Sequence, residues 1–298
     1  MLDTHRLKIF LTVSDLKSFS KAAKELYLTQ PTISQHITAL EDFLEVKLLD
    51  RTGKGVLLTR EGRLLYKYAK QITGLTDEAL QSIEFLKGKK TGDLKLGAST
   101  IPGEFILPKM LGKFKKDYPD IKISLKITDS QRIISDLLEH NIEIGVIGAK
   151  IPNLQVSYTR FLEDKLIIAV PKSHKWWKHT GGISISELIK EPFILRENGS
   201  GTLISMSEKF KKLKINKNEL NIVSEVGSNT AVIQSIKAGL GISLVSEKAL
   251  SEELKIKTLK KIPINDARFT RTFYIVRNKQ SSSSPLCKAF FQSLIKIK

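Results

Sequence analysis

The stretch SKAAKELYLTQPTISQHITALEDFL, residues Ser20–Leu44, reads as two short amphipathic helices joined by a tight turn. In the first, Ala22, Ala23 and Leu26 face inward, and the two alanines let a neighbouring helix approach closely. Ser18 or Ser20 caps it. Tyr27 to Gln30 is the turn. Thr29 is the candidate N-cap of the second helix, and Pro31 falls in the first turn, where its missing N–H costs nothing. Ile33, Ile37, Leu40 and Leu44 then recur at helical spacing and are expected to be buried. The other side of this helix carries Thr32, Ser34, Gln35 and Thr38. This pairing is a helix-turn-helix, the unit that lays its second helix in the major groove of DNA.

Working outward, residues 3–15 make a preceding helix, with Leu7, Phe10, Leu11 and Ser14 at helical spacing. On the other side, two apolar runs within Val46–Leu58 flank a Gly53-Lys54-Gly55 tip, which predicts a β-hairpin wing. Thr59 caps a long helix running to about Lys87, roughly 42 Å. Leu65, Ile72, Ala79 and Leu86 fall at heptad spacing on it, with Tyr68, Leu75 and Ser82 at the alternate positions. A seam this long needs a partner helix, most simply from a second copy of the chain. Gly88–Gly92 is a breaker and a hinge.

From Asp93 the rhythm changes to alternating strand and helix. Strands are expected at Leu94–Ala98, Ile121–Ile127 and Glu143–Ile147, with helices at Ile101–Lys115 and Gln131–Glu139. This βαβαβ order implies a parallel sheet. A second α/β unit has strands at Leu166–Val170, Phe193–Leu195, Ile222–Val226 and Ile242–Val245, and helices at Thr202–Leu213 and Thr230–Ala238. A late strand at Phe273–Val276 and an amphipathic helix at Pro285–Ile297 complete the chain.

The bulk properties agree with a polyanion partner. The 298 residues carry a formal charge of +18, the sign that attracts nucleic acid. Residues 1–90 hold only +4 of it, however, and Lys outnumbers Arg by 39 to 10, so most of the excess is solvated surface. The one cysteine, Cys287, excludes an intrachain disulfide and fits a cytoplasmic location. The N-terminal segment carries charges within its apolar run and does not read as a secretory signal. No apolar run of about 18 residues predicts a membrane span.

The stretch from Phe10 to Gly62 resembles the LysR-type transcriptional regulators. The matching residues are Ser18-Phe19-Ser20-Lys21-Ala22-Ala23, Leu26, Gln30-Pro31-Thr32-Ile33-Ser34, Ile37, Leu40-Glu41, Leu48-Leu49, Arg51 and Leu58-Thr59-Arg60-Glu61-Gly62. Ala238-Gly239-Leu240-Gly241-Ile242 and the two-unit pattern extend the resemblance over the full length. The resemblance implies an N-terminal winged helix-turn-helix (1–59), a dimerising linker helix (60–90) and a C-terminal α/β effector domain (91–298). That last domain would have two lobes like a periplasmic binding protein: lobe I about 91–161 with 268–298, lobe II about 162–267. Homotetramers on DNA, control by a small molecule and contact with RNA polymerase are further implications. No cofactor or metal site is expected.

By position in the motif, Ser20, Gln30, Pro31, Thr32, Ser34, Gln35 and Thr38 face DNA. Gln35 and Gln30 can bond bidentately to adenine, and Pro31 and the Thr32 methyl can touch thymine methyls. Ser34 can serve a base or a phosphate. Arg51 and Lys54 on the wing suit phosphate or minor-groove contact. Many relatives carry arginine where this chain has Gln35, and no Lys or Arg occurs from Pro31 to Leu44, which favours an A/T-leaning site. In the effector domain, Ser99-Thr100 and Glu197-Asn198-Gly199-Ser200-Gly201-Thr202 each join a strand to a helix. Free N–H groups at helix starts attract anions. A small oxyanion or carboxylate is therefore expected on Ser99, Thr100, Ser200, Gly201 and Thr202, with Gly148 and Gln131 lining the same cleft. The two loops resemble the family branch that governs sulfur assimilation.

Other signals carry less. The glycines around Ser200 are not spaced as a nucleophile elbow, and no base lies near a nucleophile in motif form, so an enzyme is not expected. His174 and His179 flank Trp176-Trp177 on a surface loop. A solute-binding protein of a transport system is the alternative that the two α/β units permit and the N-terminal DNA reader opposes.

Overall fold

The computed structural model describes residues 2–52, 55–216 and 219–296. The chain divides into two compact units, one built from the residues up to Lys89 together with Glu139–Asn141, the other from the remaining residues onward from Lys90.

In the first unit, α1 (Thr4–Leu16), α2 (Phe19–Glu25) and α3 (Gln30–Leu44) surround one apolar core. Each helix starts on a side-chain cap: Asp3 accepts from the Arg6 N–H, Ser18 from Lys21 and Thr29 from Thr32. Ser18, not Ser20, is thus the α2 cap. The core-facing side of α3 is Ile33, Ile37, Leu40 and, unexpectedly, Glu41, whereas Leu44 is half-buried. The Glu41 carboxylate accepts from the N–H groups of Leu48 (2.8 Å) and Leu49 (3.2 Å) and from Lys47 Nζ (2.7 Å), which ties the reader helix to the wing. The wing is the antiparallel pair β1 (Leu49–Thr52) and β2 (Gly55–Leu58).

The long helix α4 (Arg60–Leu86) opens on Thr59, whose hydroxyl accepts from the Gly62 N–H and donates to the Lys47 carbonyl. Gly62 is required there, since a Cβ would stand 2.0 Å from the Leu48 carbonyl oxygen. Half-buried Leu65 and Tyr66, with buried Ala69, pack on the core of this unit. Lys70 and Lys8 pair with Asp15 and Asp77 at 3.1 Å. The expected seam is corrected accordingly. Leu65 belongs to the inner face, and the exposed stripe is Leu64, Tyr68, Ile72, Leu75, Ala79, Ile83 and Leu86. It follows i, i+4 and i, i+3 steps along one side of the helix.

The second unit is a two-lobed α/β domain. Its elements are β3 (Gly92–Ser99), α5 (Leu107–Asp117), β4 (Ile121–Thr128), α6 (Ser130–Leu138), β5 (Ile144–Ile147) and β6 (Val156–Pro171). Next come α7 (Ile185–Leu188), β7 (Phe193–Arg196), α8 (Gly201–Lys212), β8 (Ile222–Val226), α9 (Asn229–Lys237) and β9 (Ser243–Ser246). The chain finishes with α10 (Ser251–Lys255), β10 (Leu259–Ile262), β11 (Phe269–Asn278) and α11 (Pro285–Ile295).

The strand order is β10-β6-β11-β5-β3-β4, with β9 also on β6; the parallel sheet expected for the first three strands forms, and later strands extend it into a mixed sheet. Strands β4, β3 and β5 are parallel, while β11 is antiparallel to both β5 and β6. β6 and β11 each contribute to both large apolar clusters of this unit. Between the two strands the register breaks: Thr272 pairs Glu163 and Tyr274 pairs Arg160, so Phe161 and Leu162 oppose Phe273 alone. A bulge of this kind bends the strand pair where one lobe passes into the other. The expected helix Ile101–Lys115 is also revised. Pro102–Ile106 forms a π-helical turn before α5 begins, at the cleft end of β3. Lobe II carries the short parallel pair β7–β8, and Phe193 bridges to Ile242.

Candidate functional sites

The exposed side of α3 presents Gln30, Pro31, Gln35 and Thr38, with Thr32 and Ser34 half-exposed. Three contacts hold this surface. Ser20 Oγ donates to Gln30 Oε1 at 2.7 Å, which joins the α2 N-terminus to the start of α3. Arg51 lies over the Phe19 ring at 4.4 Å and reaches Ser34 Oγ at 3.5 Å, which aligns the wing with α3. All the expected DNA-facing residues thus fall on one surface of the first unit except Lys54, which lies outside the described residues. The sequence pattern did not disclose Glu41, which touches no DNA-facing position yet sets the wing against the reader helix.

In the second unit, one cavity of about 10 Å³ lies between the lobes. Its walls are Ser99 and Thr100 at the end of β3, Ile101, Asp129, Arg196, Arg271, and Ser200, Gly201 and Thr202 at the start of α8. All five principal effector residues expected from sequence therefore meet. Gly148 and Gln131 do not line the cavity. Gly148 stands directly behind Gly201, where an added Cβ would lie 3.2 Å from the Gly148 Cα and 2.8 Å from Ser130 Oγ. That close approach requires glycine at 201 and places the α8 N-terminus against the other lobe. Gln131 is exposed on α6 and lies near Gly199.

Sequence reasoning missed the two cations. Arg271 is buried on β11, and its Nε donates to Asp164 Oδ2 at 2.9 Å and its Nη1 to Thr202 Oγ1 at 2.9 Å. Asp164 also accepts from Ser246 Oγ at 2.7 Å. Nη2 lies 2.9 Å from Asp164 Oδ2 but has no aligned acceptor among the described residues. Burial holds the Arg271 pKa below its ordinary value. The adjacent Asp164 opposes that shift, and the Arg196 charge adds to it. Arg196, on β7, is equally enclosed and donates twice to Glu197 and once to Asn229. The alternation Phe269, Arg271, Phe273 and Ile275 put Arg271 on the inward side of β11. A strand reading that starts at Phe273 leaves it out.

Thr100, bonded to Asn229 across the cleft at 2.7 Å, and Arg271, bonded to Thr202, clasp the lobes together. A space of about 10 Å³ suits roughly one water. Free amides of the first turn of α8, hydroxyls on both sides and two buried guanidinium groups favour negative charge, while Asp129 in the lining and the carboxylates paired with the guanidiniums, Asp164 and Glu197, offset part of that field.

Comparison with known proteins places this geometry in a family. Residues 4–63 match the family described as "Bacterial regulatory helix-turn-helix protein, lysR family", and residues 87–296 match "LysR substrate binding domain". The chain belongs to the LysR family of DNA-binding transcriptional regulators with an effector-binding domain. The "Uncharacterized HTH-type transcriptional regulator MJ0300" of Methanocaldococcus jannaschii is 34% identical over 97% of both chains. The "HTH-type transcriptional activator CmpR" of Synechocystis is 33% identical over 97% of this chain and 94% of its own. Neither name points to sulfur assimilation, and that branch is not carried further.

Among solved structures, full-length CbnR complexed with its target DNA superposes over the whole of both chains with a TM-score of 0.70 at 22% identity. The regulatory domain of Synechocystis CcmR in complex with 2-PG covers 69% of this chain and 97% of its own, with a TM-score of 0.63 at 27% identity. The family decides against a transport solute-binding protein. No helix among the described residues is long and apolar enough to cross a membrane.

Proposed function

We propose that α3 reads its operator in the major groove through Gln30, Pro31, Thr32, Ser34, Gln35 and Thr38, with Ser20 and Arg51 at the flanks. The observation that carries this reading is the outward polar side of α3, braced at its first residue by Ser20–Gln30 and about one turn on by Arg51–Ser34. Glutamines and hydroxyls without Lys or Arg favour A/T pairs over guanine. Lys54 completes the set on the wing by position alone. A gel shift with the chain's own upstream region tests this. Binding at low salt that falls with Gln35→Ala supports it, and indifference to duplex DNA contradicts it.

The cleft is the effector site in this reading, taking a small anion on Ser99, Thr100, Ser200, Gly201 and Thr202, with Arg196 and Arg271 beneath them. CcmR, with 2-PG on the same fold, gives a precedent for a small-molecule effector. The exposed α4 stripe is the dimer seam, and pairs of dimers make a homotetramer on promoter DNA. RNA polymerase at the promoter is a further partner. The working location is the cytoplasm, the chain acts as a regulator and not as an enzyme, and its boundaries follow the expected division at about residues 59 and 90.

A further inference from the structure

Glu197 holds the outer side of the Arg196 guanidinium in a two-bond fork, Nε to Oε2 and Nη2 to Oε1, each at 2.7 Å. The two partners differ in enclosure: 4% of the Arg196 side chain is exposed against 28% of Glu197. Arg196 has a second anchor besides Glu197. Its Nη1 donates to Asn229 Oδ1 at 2.6 Å, and Asn229 Nδ2 donates to Thr100 Oγ1 at 2.7 Å. The Glu197 backbone is fixed as well, because its N–H donates to the Val226 carbonyl and its carbonyl accepts from the Ser200 N–H. Only the carboxylate is placed to leave, and it is the more exposed half of the pair. Arg196 lines the cavity between the lobes while Glu197 lies outside its lining, and on another wall the Nη2 of buried Arg271 stands 2.9 Å from Asp164 Oδ2 with no aligned acceptor among the described residues.

We propose that the Glu197 carboxylate is a built-in occupant of the anion position on Arg196, which the effector displaces. Resting on the reading of the cleft as the effector site, this names the effector class as a dianion. A single carboxylate arriving at Arg196 only replaces one carboxylate with another and gains nothing at the fork. A dianion takes the fork with one pair of oxygens. It offers the others to Arg271 Nη2, the hydroxyls and the α8 amides, as Glu197 turns to solvent. Glu197 therefore selects against monoanions.

The test is calorimetric titration of the full chain with inorganic sulfate and with acetate at constant ionic strength. The chains compared are wild type, Glu197→Gln, Glu197→Ala, Arg196→Gln and the Arg196→Gln/Glu197→Gln pair. Losing a competing charged hydrogen bond is expected to tighten sulfate binding about tenfold or more in both Glu197 variants. Arg196→Gln is expected to remove sulfate binding in either background, and acetate to bind wild type at least tenfold more weakly than sulfate. Unchanged or weaker sulfate binding in both Glu197 variants, with Arg196→Gln still abolishing it, overturns the displacement and leaves the cleft as a binding site. Absence of saturable sulfate binding in every chain overturns the cleft reading as well. Should both Glu197 variants fail to fold, wild type decides: equal affinity for sulfate and acetate overturns the proposal.

Discussion

Glu41 shows how one buried carboxylate positions a surface it does not belong to. Its Oε1 accepts from both the Leu48 and Leu49 amides at the start of the wing, and its Oε2 from Lys47, so removing it strands both amide donors. Glu41→Ala is expected to cost about 1–3 kcal/mol, read as a lower urea midpoint, and to weaken operator binding although every DNA-facing side chain is intact. Arg271 has the same standing in the effector domain. Arg271→Met leaves Asp164 buried and unpaired, which is expected to cost about 3–5 kcal/mol and to abolish any thermal shift with oxyanions. These residues mark where the sequence was legible and where it was not. Ser99, Thr100 and Ser200–Thr202 were found because hydroxyls and glycines at strand-to-helix junctions have a local signature. Glu41 and Arg271 have none, since their partners lie on other elements and charged residues are ordinarily assigned to solvent.

At the scale of elements, α4 carries two faces. The inner face packs on the DNA-binding core, and the outer one, Leu64 through Leu86, stands exposed. An apolar stripe of this length is unfavourable in water unless covered. Leu75→Lys combined with Ile83→Lys is expected to shift the chain to monomer in sedimentation velocity without unfolding the helix-turn-helix. The helices were readable because a 3.6-residue period survives any environment. Only the C-terminal end of β6 was readable. Its middle carries Arg160, Glu163, Asp164 and Lys165, so the apolar run begins only at Leu166, and pairing with β11 makes the rest a strand. In lobe II, His174 accepts from the Trp176 N–H and faces Glu191. Burial lowers its pKa, with Glu191 opposing. The unfolded chain thus binds the His174 proton at higher pH than the folded one. Below about pH 6.5 this group costs stability, and the cost grows until the folded-state pKa is passed. His174→Gln is expected to flatten the fall in melting temperature between neutral pH and pH 5.

For the whole molecule, a regulator of this family must couple an effector in its effector-binding domain to DNA at the reader helix. If the coupling is about 1–3 kcal/mol, linkage requires operator DNA to change effector affinity by the same factor as effector changes DNA affinity. Within the effector domain, the Thr100–Asn229 and Arg271–Thr202 bonds cross the cleft, and β6 carries the Phe161–Leu162 bulge. The central claim, that α3 reads base edges with its amide and hydroxyl side, is tested most directly by in vitro selection of duplexes on the full chain and on Gln35→Ala. The account predicts an A/T-leaning half-site whose preference relaxes at one position in the variant. A guanine-rich core contacted by α3, or selected sequences that are the same for both proteins, would contradict it.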